Sequence, residues 1–211
     1  THTLAVLDNI CAADEDDPDL ALRMAALLHD VGKPKTRRYG PEGVSFHHHE
    51  VVGAEMADKR LAALHYPSRF REEVRELVYL HLRFHTYRLG WSDKAVRRYV
   101  RDAGALLGKL NALVRADCTT RNLNKARELS ERMDELELKI AQLAEQENLL
   151  RLRPALDGNE IMERLGIRPG PVVGEARDFL MEIRIDEGEI SKEEAYSRLD
   201  EWWRELRINE S

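Results

Sequence analysis

Leu27-Leu28-His29-Asp30-Val31-Gly32-Lys33-Pro34 sets a histidine and an aspartate side by side at the end of an apolar helical stretch. The preceding residues predict a helix over 18–31. Asp17 can cap it, Pro18 fits its first position, and Gly32 and Pro34 stop it. Leu20, Met24, Leu27, Leu28 and Val31 fall on one face and form the expected inward stripe. His29 and Asp30 then occupy the last turn, offering one neutral nitrogen and one anionic oxygen. Such a mixed pair suits a divalent first-row metal. A polar pair beside a core needs partners, and His2 and Asp117 are the candidates.

Asp117 extends the helically spaced positions 106, 110 and 113, so its carboxylate continues an apolar stripe. An acid there is tolerated when it is paired, with an arginine or with a metal. The order His, His-Asp, Asp resembles the HD superfamily of metal-dependent phosphohydrolases. The resemblance implies metal ligation by His2, His29, Asp30 and Asp117. His49-Glu50-x-x-Gly53-Ala54, with His81 on the next helix, is similar to the wider ligand set of some members and implies His49 and His81 as further ligands. One or two ions per chain are expected, and nickel, manganese, cobalt, iron, zinc or magnesium all remain open. His85 lies four residues from His81 and faces the same way. At least one of His47, His48 and His49 reads as a surface histidine at a helix start, and His65 as a helix-end residue.

The 211 residues suffice for one large core or two small ones. Leu, Ala, Glu and Arg dominate, and seven prolines and twelve glycines punctuate the chain, a composition that favours helices. No apolar run is long enough to span a membrane. Cys11 and Cys118 are isolated thiols, which fits a reducing cytoplasm. A chain opening on Thr1, just before a candidate ligand, is expected to be a piece of a longer protein. The net charge of −6 argues against nucleic acid, but its distribution does not. Lys33, Lys35, Arg37 and Arg38 follow the His-Asp pair without an intervening acid. Arg83, Arg88, Lys94, Arg97, Arg98 and Arg101 form a second cluster, offset mainly by Asp93, and Arg121 follows Asp117. Lys33, Arg37, Arg38, Arg97, Arg98, Arg101 and Arg121 are therefore the candidate phosphate or RNA contacts, with Asp30 and Lys33 as catalytic residues.

Along the chain, helices are expected over 3–13, 18–31, from near His47–His49 to about His65, from Ser68 to about His85, from Ser92 to near Gly104, and up to Asp117. Val51, Val52, Met56 and Leu61 are the expected inward residues of the third. Residues 34–46 should form a loop or small hairpin turning at Tyr39-Gly40-Pro41-Glu42-Gly43. A long helix follows over 124–151, its apolar residues Leu129, Met133, Leu136, Ile140, Leu143 and Leu150 spaced alternately by four and three. That spacing suits a homodimer seam, half of a two-helix stalk or a long surface helix. In the tail, helices are expected over 172–186 and from Ser191, where Ser191 and Glu194 can form a capping box.

Arg153-Pro154-Ala155-Leu156-Asp157-Gly158-Asn159-Glu160 and Gly166-Ile167-Arg168-Pro169-Gly170-Pro171-Val172-Val173-Gly174 resemble the C-terminal region of bacterial CCA-adding tRNA nucleotidyltransferases. Ser45-Phe46-His47-His48-His49-Glu50, Arg97-Arg98-Tyr99-Val100-Arg101-Asp102 and Ala116-Asp117-Cys118-Thr119-Thr120-Arg121-Asn122 are similar to the actinobacterial type. No phosphate-gripping Gly-Ser motif with paired aspartates occurs, so the family's nucleotidyltransferase head is expected to be missing from this chain. The resulting expectation is an all-α protein with an HD domain over 1–123, a connecting helix over 124–153 and a tRNA-binding tail over 154–211. Its implied activity is hydrolysis of a 2′,3′-cyclic or terminal phosphate on tRNA or a nucleotide. The alternative is a non-catalytic tRNA-binding body.

Overall fold

The computed structural model describes residues 2–13, 16–41, 43–87, 90–118, 123–147 and 152–209. The fold is all-α apart from one small hairpin. Helices α1 (His2–Ala13), α2 (Leu20–Leu28) and the one-turn α3 (Lys33–Thr36) lead to strands β1 (Arg38–Gly40) and β2 (Gly43–Ser45). Then come α4 (His49–Ala63), α5 (Ser68–Leu80), α6 (Asp93–Ala103), α7 (Leu107–Asp117) and α8 (Leu123–Glu147). The tail holds α9 (Gly158–Leu165), α10 (Pro171–Glu187) and α11 (Lys192–Asn209). The strands pair antiparallel, with Tyr39 opposite Val44. No described helix is long and apolar enough to cross a membrane.

The helices divide into two compact units, residues 1–90 with 102–138 and residues 91–101 with 139–211. In the first, α4 packs on α5, α1 on α2 and α7, and α2 on α5. Val6, Ile10, Leu22, Leu61, Val74, Leu77, Leu110 and Leu113 are its buried apolar residues. Each fully buried Leu or Val stabilises the fold by about 1.5–3 kcal/mol relative to exposure.

The face that α2 buries differs from the expected one. Ala21, Leu22, Ala25 and Ala26 are buried, while Leu20 and Leu27 are exposed. Small alanines let the neighbouring helices approach closely, and close approach outweighs the burial of larger side chains further round the helix. Asp19, not Asp17, is the cap, accepting from the Leu22 amide at 2.9 Å. The helix ends at Leu28, and Pro34 opens α3 rather than terminating α2. In α4 the buried residues are His49, Gly53, Ala54, Ala57 and Leu61, and Val51 points outward. Again glycine and alanine face the neighbour. α5 stops at Leu80, followed by a 3₁₀ turn over Arg83–Thr86.

Met133, Leu136 and Leu143 of α8 are buried within the chain itself. In the second unit, Leu156, Ile161, Ala176, Leu180, Ala195 and Leu199 form the core. α9 is not among the helices expected of the tail: its eight residues lie between Pro154 and the Gly/Pro-rich stretch 166–174. Its local signal is a full capping box, with Asp157 accepting from the Glu160 amide and Glu160 accepting from that of Asp157. Ser191 caps α11 by accepting from the Glu194 amide at 3.1 Å.

An ion cluster ties this unit together. Arg97 donates to both carboxylate oxygens of Glu147, at 2.9 and 2.6 Å, and to the Ile185 carbonyl at 3.1 Å. Arg184 donates to Glu147 Oε2 at 3.0 Å and to its carbonyl at 2.9 Å. Gly188 has a left-handed φ of 92°, and a Cβ there would lie 3.0 Å from the Arg97 guanidinium. Arg97 holds the Glu147 carboxyl below the ordinary value of 4.5. A carboxylate depressed on folding stabilises above its unfolded value, and this stabilisation is lost as pH falls from about 4.5 through the lower folded value. Glu147→Ala leaves two nearly buried guanidinium groups without their acid. It should cost about 2–3 kcal/mol of stability at neutral pH, and less below about pH 4.5, in thermal melts of both proteins.

Candidate metal centre

Six side chains that are distant in sequence converge in the first unit. His29 and Asp30 sit in the turn that ends α2, His2 opens α1, His49 opens α4, His81 follows α5 and Asp117 ends α7. His48 takes a left-handed conformation (φ 60°) just before α4, uncommon for a residue other than glycine. Its side chain stays exposed while that of His49 is buried. A second device is the contact between Gly32 and α4. A Cβ on Gly32 would lie 2.2 Å from the His49 carbonyl and 2.7 Å from the Gly53 amide nitrogen, so only glycine permits the approach.

The imidazoles are oriented alike. Nδ1 of His29, His49 and His81 bonds the carbonyl three residues earlier, those of Ala26, Phe46 and Val78, at 2.8, 2.8 and 2.6 Å. A carbonyl only accepts, so each Nδ1 carries the proton. All three Nε2 atoms are buried and have no hydrogen-bond partner. They gather round Asp30. Its Oδ1 lies 3.3 Å from His49 Nε2 and 4.0 Å from His81 Nε2, and its Oδ2 lies 3.3 Å from His29 Nε2 and 3.9 Å from His2 Nε2. Asp117 Oδ1 is 2.9 Å from His2 Nε2 and 3.5 Å from His29 Nε2.

Donors that share one ion at about 2.1 Å stand about 3 Å apart when adjacent. The donor set therefore fits a divalent cation. Two groups can each hold one, His2–His29–Asp30 and Asp30–His49–His81, with Asp30 common to both. The backbone bonds to Nδ1 supply the outer support that fixes ring orientation in metal sites.

The electrostatics ask for positive charge. Burial pulls the His29 imidazolium down, but Asp117 and Asp30 override it and raise its pKa to about 10. Burial alone would raise the Asp30 carboxyl, yet His29 and Lys33 hold it well below the usual range. Asp117 is likewise lowered by His29 against its burial. Burial and the neighbouring His29 lower His81 to about 4, leaving its ring neutral. A divalent cation held here would take the place of the proton on His29.

Of the basic residues expected to contact phosphate, Lys33 is at the site, its Nζ 2.6 Å from Asp30 Oδ2. Arg37 and Arg38 are exposed on and beside the hairpin, Arg37 lying over the Tyr39 ring at 5.4 Å. Arg97 is only 6% exposed and committed to Glu147, so the expectation that it grips phosphate is corrected. Arg98 and Arg101 both donate to Glu182 at 2.6 Å. Arg121 lies outside the described residues. Phe46 and Glu50, which stand in the quoted motifs without an assigned role, line a cavity of about 590 Å³ that His49 also lines. Their signal was adjacency: they bracket the three histidines.

The chain is 38% identical over 205 residues to the CC-adding tRNA nucleotidyltransferase of Thermus thermophilus, a match covering 95% of this chain and 44% of that protein. It is 35% identical over 189 residues to the A-adding tRNA nucleotidyltransferase of Deinococcus radiodurans, covering 88% and 42%. The chain thus spans less than half the length of these curated relatives. Residues 1–147, which include all six converging side chains, match the HD domain. The chain belongs to the HD domain family.

Proposed function

We propose that this chain is a metal-dependent phosphohydrolase module of a tRNA nucleotidyltransferase, hydrolysing a 2′,3′-cyclic or terminal phosphate on an RNA or nucleotide. The observation that carries the reading is the set of three buried Nε2 atoms without partners, gathered round Asp30. Buried polar atoms are almost always satisfied, and the two candidate cation groups that share Asp30 take in all three between them. A tRNA-binding body that holds no metal has no use for them.

His2, His29, Asp30, His49, His81 and Asp117 would hold the metal. A divalent ion in such a site supplies Lewis-acid activation of water and of a phosphoryl oxygen. The Nδ1 bonds to backbone carbonyls keep each Nε2 lone pair directed at the site. Lys33 fixes Asp30 with one donor, and an ammonium has two more to offer to phosphoryl oxygens, where charge develops. Arg37 and Arg38, exposed beside the hairpin, would take the next phosphates of a polynucleotide, a salt-sensitive contact.

The test is elemental analysis of protein purified without chelator or metal column, paired with hydrolysis of a chromogenic phosphodiester after metal addition. Stoichiometric metal with turnover is the expected result. Metal-free protein that stays inactive with every added divalent ion would refute the proposal.

A further inference from the structure

The β1–β2 hairpin carries a surface that the fold itself does not use. Tyr39 is 75% exposed and Val44 50%. The two stand directly opposite each other, and opposite residues of an antiparallel pair project on one face. A single exposed apolar side chain means little, but this pair has charged company. The Arg37 guanidinium lies over the Tyr39 ring at 5.4 Å, and Lys35 and Arg38 are exposed as well. Other arginines of the chain are tied to acids: Arg98, Arg101, Arg115 and Arg164 each donate to a carboxylate. Among the described residues, Lys35, Arg37 and Arg38 bond no carboxylate, and Arg38 donates only to the Arg37 carbonyl, at 3.4 Å. In a chain of net charge −6, residues 35–39 thus hold three cations without acids and end on an open aromatic ring. Such a patch attracts an anion from outside.

The hairpin also borders the cavity of about 590 Å³, which Val44 and Ser45 line together with Lys33, Phe46 and His49. Opposite Cα atoms of an antiparallel pair stand about 4.5–5.5 Å apart, so Tyr39 is one strand back from that rim. Single-stranded nucleic acid matches this arrangement, because its unstacked bases lie on aromatic and guanidinium planes while its backbone meets cations. An acidic peptide would meet the cations but not the cavity that Lys33 and His49 line.

We infer that the hairpin is the docking surface for a single-stranded RNA end, with a base stacked on Tyr39, phosphates on Arg37 and Arg38, and the terminus in the cavity. The inference rests on the reading of the adjoining site as one that handles RNA phosphoesters, and it names the form of RNA that reaches it. Duplex RNA is excluded from this mode, since its bases are already stacked on one another.

The test is fluorescence anisotropy of a labelled RNA of mixed sequence, about 12 nucleotides long, single-stranded or annealed to its complement. It is titrated with the full chain in the presence of a chelator, so that nothing is cut. The single strand should bind about tenfold more tightly than the duplex. Tyr39→Ala should remove that preference through about a tenfold loss for the single strand, and Tyr39→Phe, which keeps the ring, should retain it. Arg38→Ala should weaken the single strand and lower the slope of log affinity against log salt by about 0.7, one phosphate's share. These side chains are mostly in solvent, so the variants fold as the wild type does. Equal affinities in the unaltered chain, or a preference that survives Tyr39→Ala, would overturn the inference. So would a polyglutamate peptide that displaces the RNA and binds with the same dependence on Tyr39, which would make the hairpin a docking surface for acidic protein. Turnover of the chromogenic diester without Tyr39-dependent binding would overturn the role of the hairpin and leave the hydrolase standing. Tyr39-dependent binding of the single strand in a chain that turns over no diester would uphold the hairpin and remove the hydrolase.

Discussion

Asp30→Ala should empty the metal centre and stop phosphodiester hydrolysis together, the largest functional loss expected of a single substitution. Asp30 is the residue common to both potential cation groups, and each carboxylate oxygen faces a different pair of imidazoles. Its removal leaves neither group with a complete set. Loss of Lewis-acid assistance is worth several kcal/mol, or about 10³-fold in rate. Metal content should fall from stoichiometric to none in the same preparation. Helical content should hardly change, because Asp30 lies in the turn after α2 and takes no part in the apolar contacts of α1, α4, α5 and α7. The two readouts are elemental analysis and turnover, with circular dichroism as the folding control. Turnover that persists at wild-type level in this variant would sink the mechanism.

Gly32→Ala should be the most damaging single-methyl change in the chain. The added carbon would meet the His49 carbonyl at 2.2 Å and the Gly53 nitrogen at 2.7 Å, both backbone atoms that cannot rotate away. Overpacking of this kind costs about 3 kcal/mol, which in a chain of this size lowers the melting temperature by about 6–12 °C. It must also push α4, and His49 with it, away from Asp30, so metal affinity should fall along with stability. Gly53→Ala is the internal control. Its Cβ would meet the Gly32 nitrogen and a Val78 methyl at 3.4 Å, tight but not prohibitive. A Gly32→Ala protein that melts with the wild type would show that the two backbones do not touch.

Much of this was legible in the sequence because the decisive signals were local. His29-Asp30 is a two-residue word at a helix end, and residues 106, 110, 113 and 117 share one helical phase. The hairpin declared itself through Gly40-Pro41 and Gly43. The choice of buried face was harder. On α2, Leu20, Leu27 and Leu28 have the same periodicity as Leu22, Ala25, Ala26 and His29, offset round the helix. Reading hydrophobicity alone favours the leucines, whereas close helix packing favours the alanines. Arg97 misled for a related reason. A run of arginines reads as a solvated face, but Ala95, Val96, Tyr99 and Val100 bury that part of α6, and Arg97 is carried inward with them. Whether an arginine meets a phosphate or a glutamate fifty positions later depends on topology, which charge spacing does not encode.

The position of α6 has a consequence for the growing chain. Residues 91–101 belong with residues 139–211, although the whole stretch from 102 to 138 is made in between. A ribosome emerging chain at about 5–20 residues per second releases α6 several seconds before the partners of Lys94, Arg97 and Arg98 exist. Through that interval Val96, Tyr99 and Val100 have no permanent cover, and α6 waits as an amphipathic helix open to holdase chaperones or to a neighbouring nascent chain. A fragment cut at residue 123 would lack Glu147, Glu182 and Asp186 alike and make the wait permanent, so poor yield and aggregation are its expected fate, however complete the metal centre it carries.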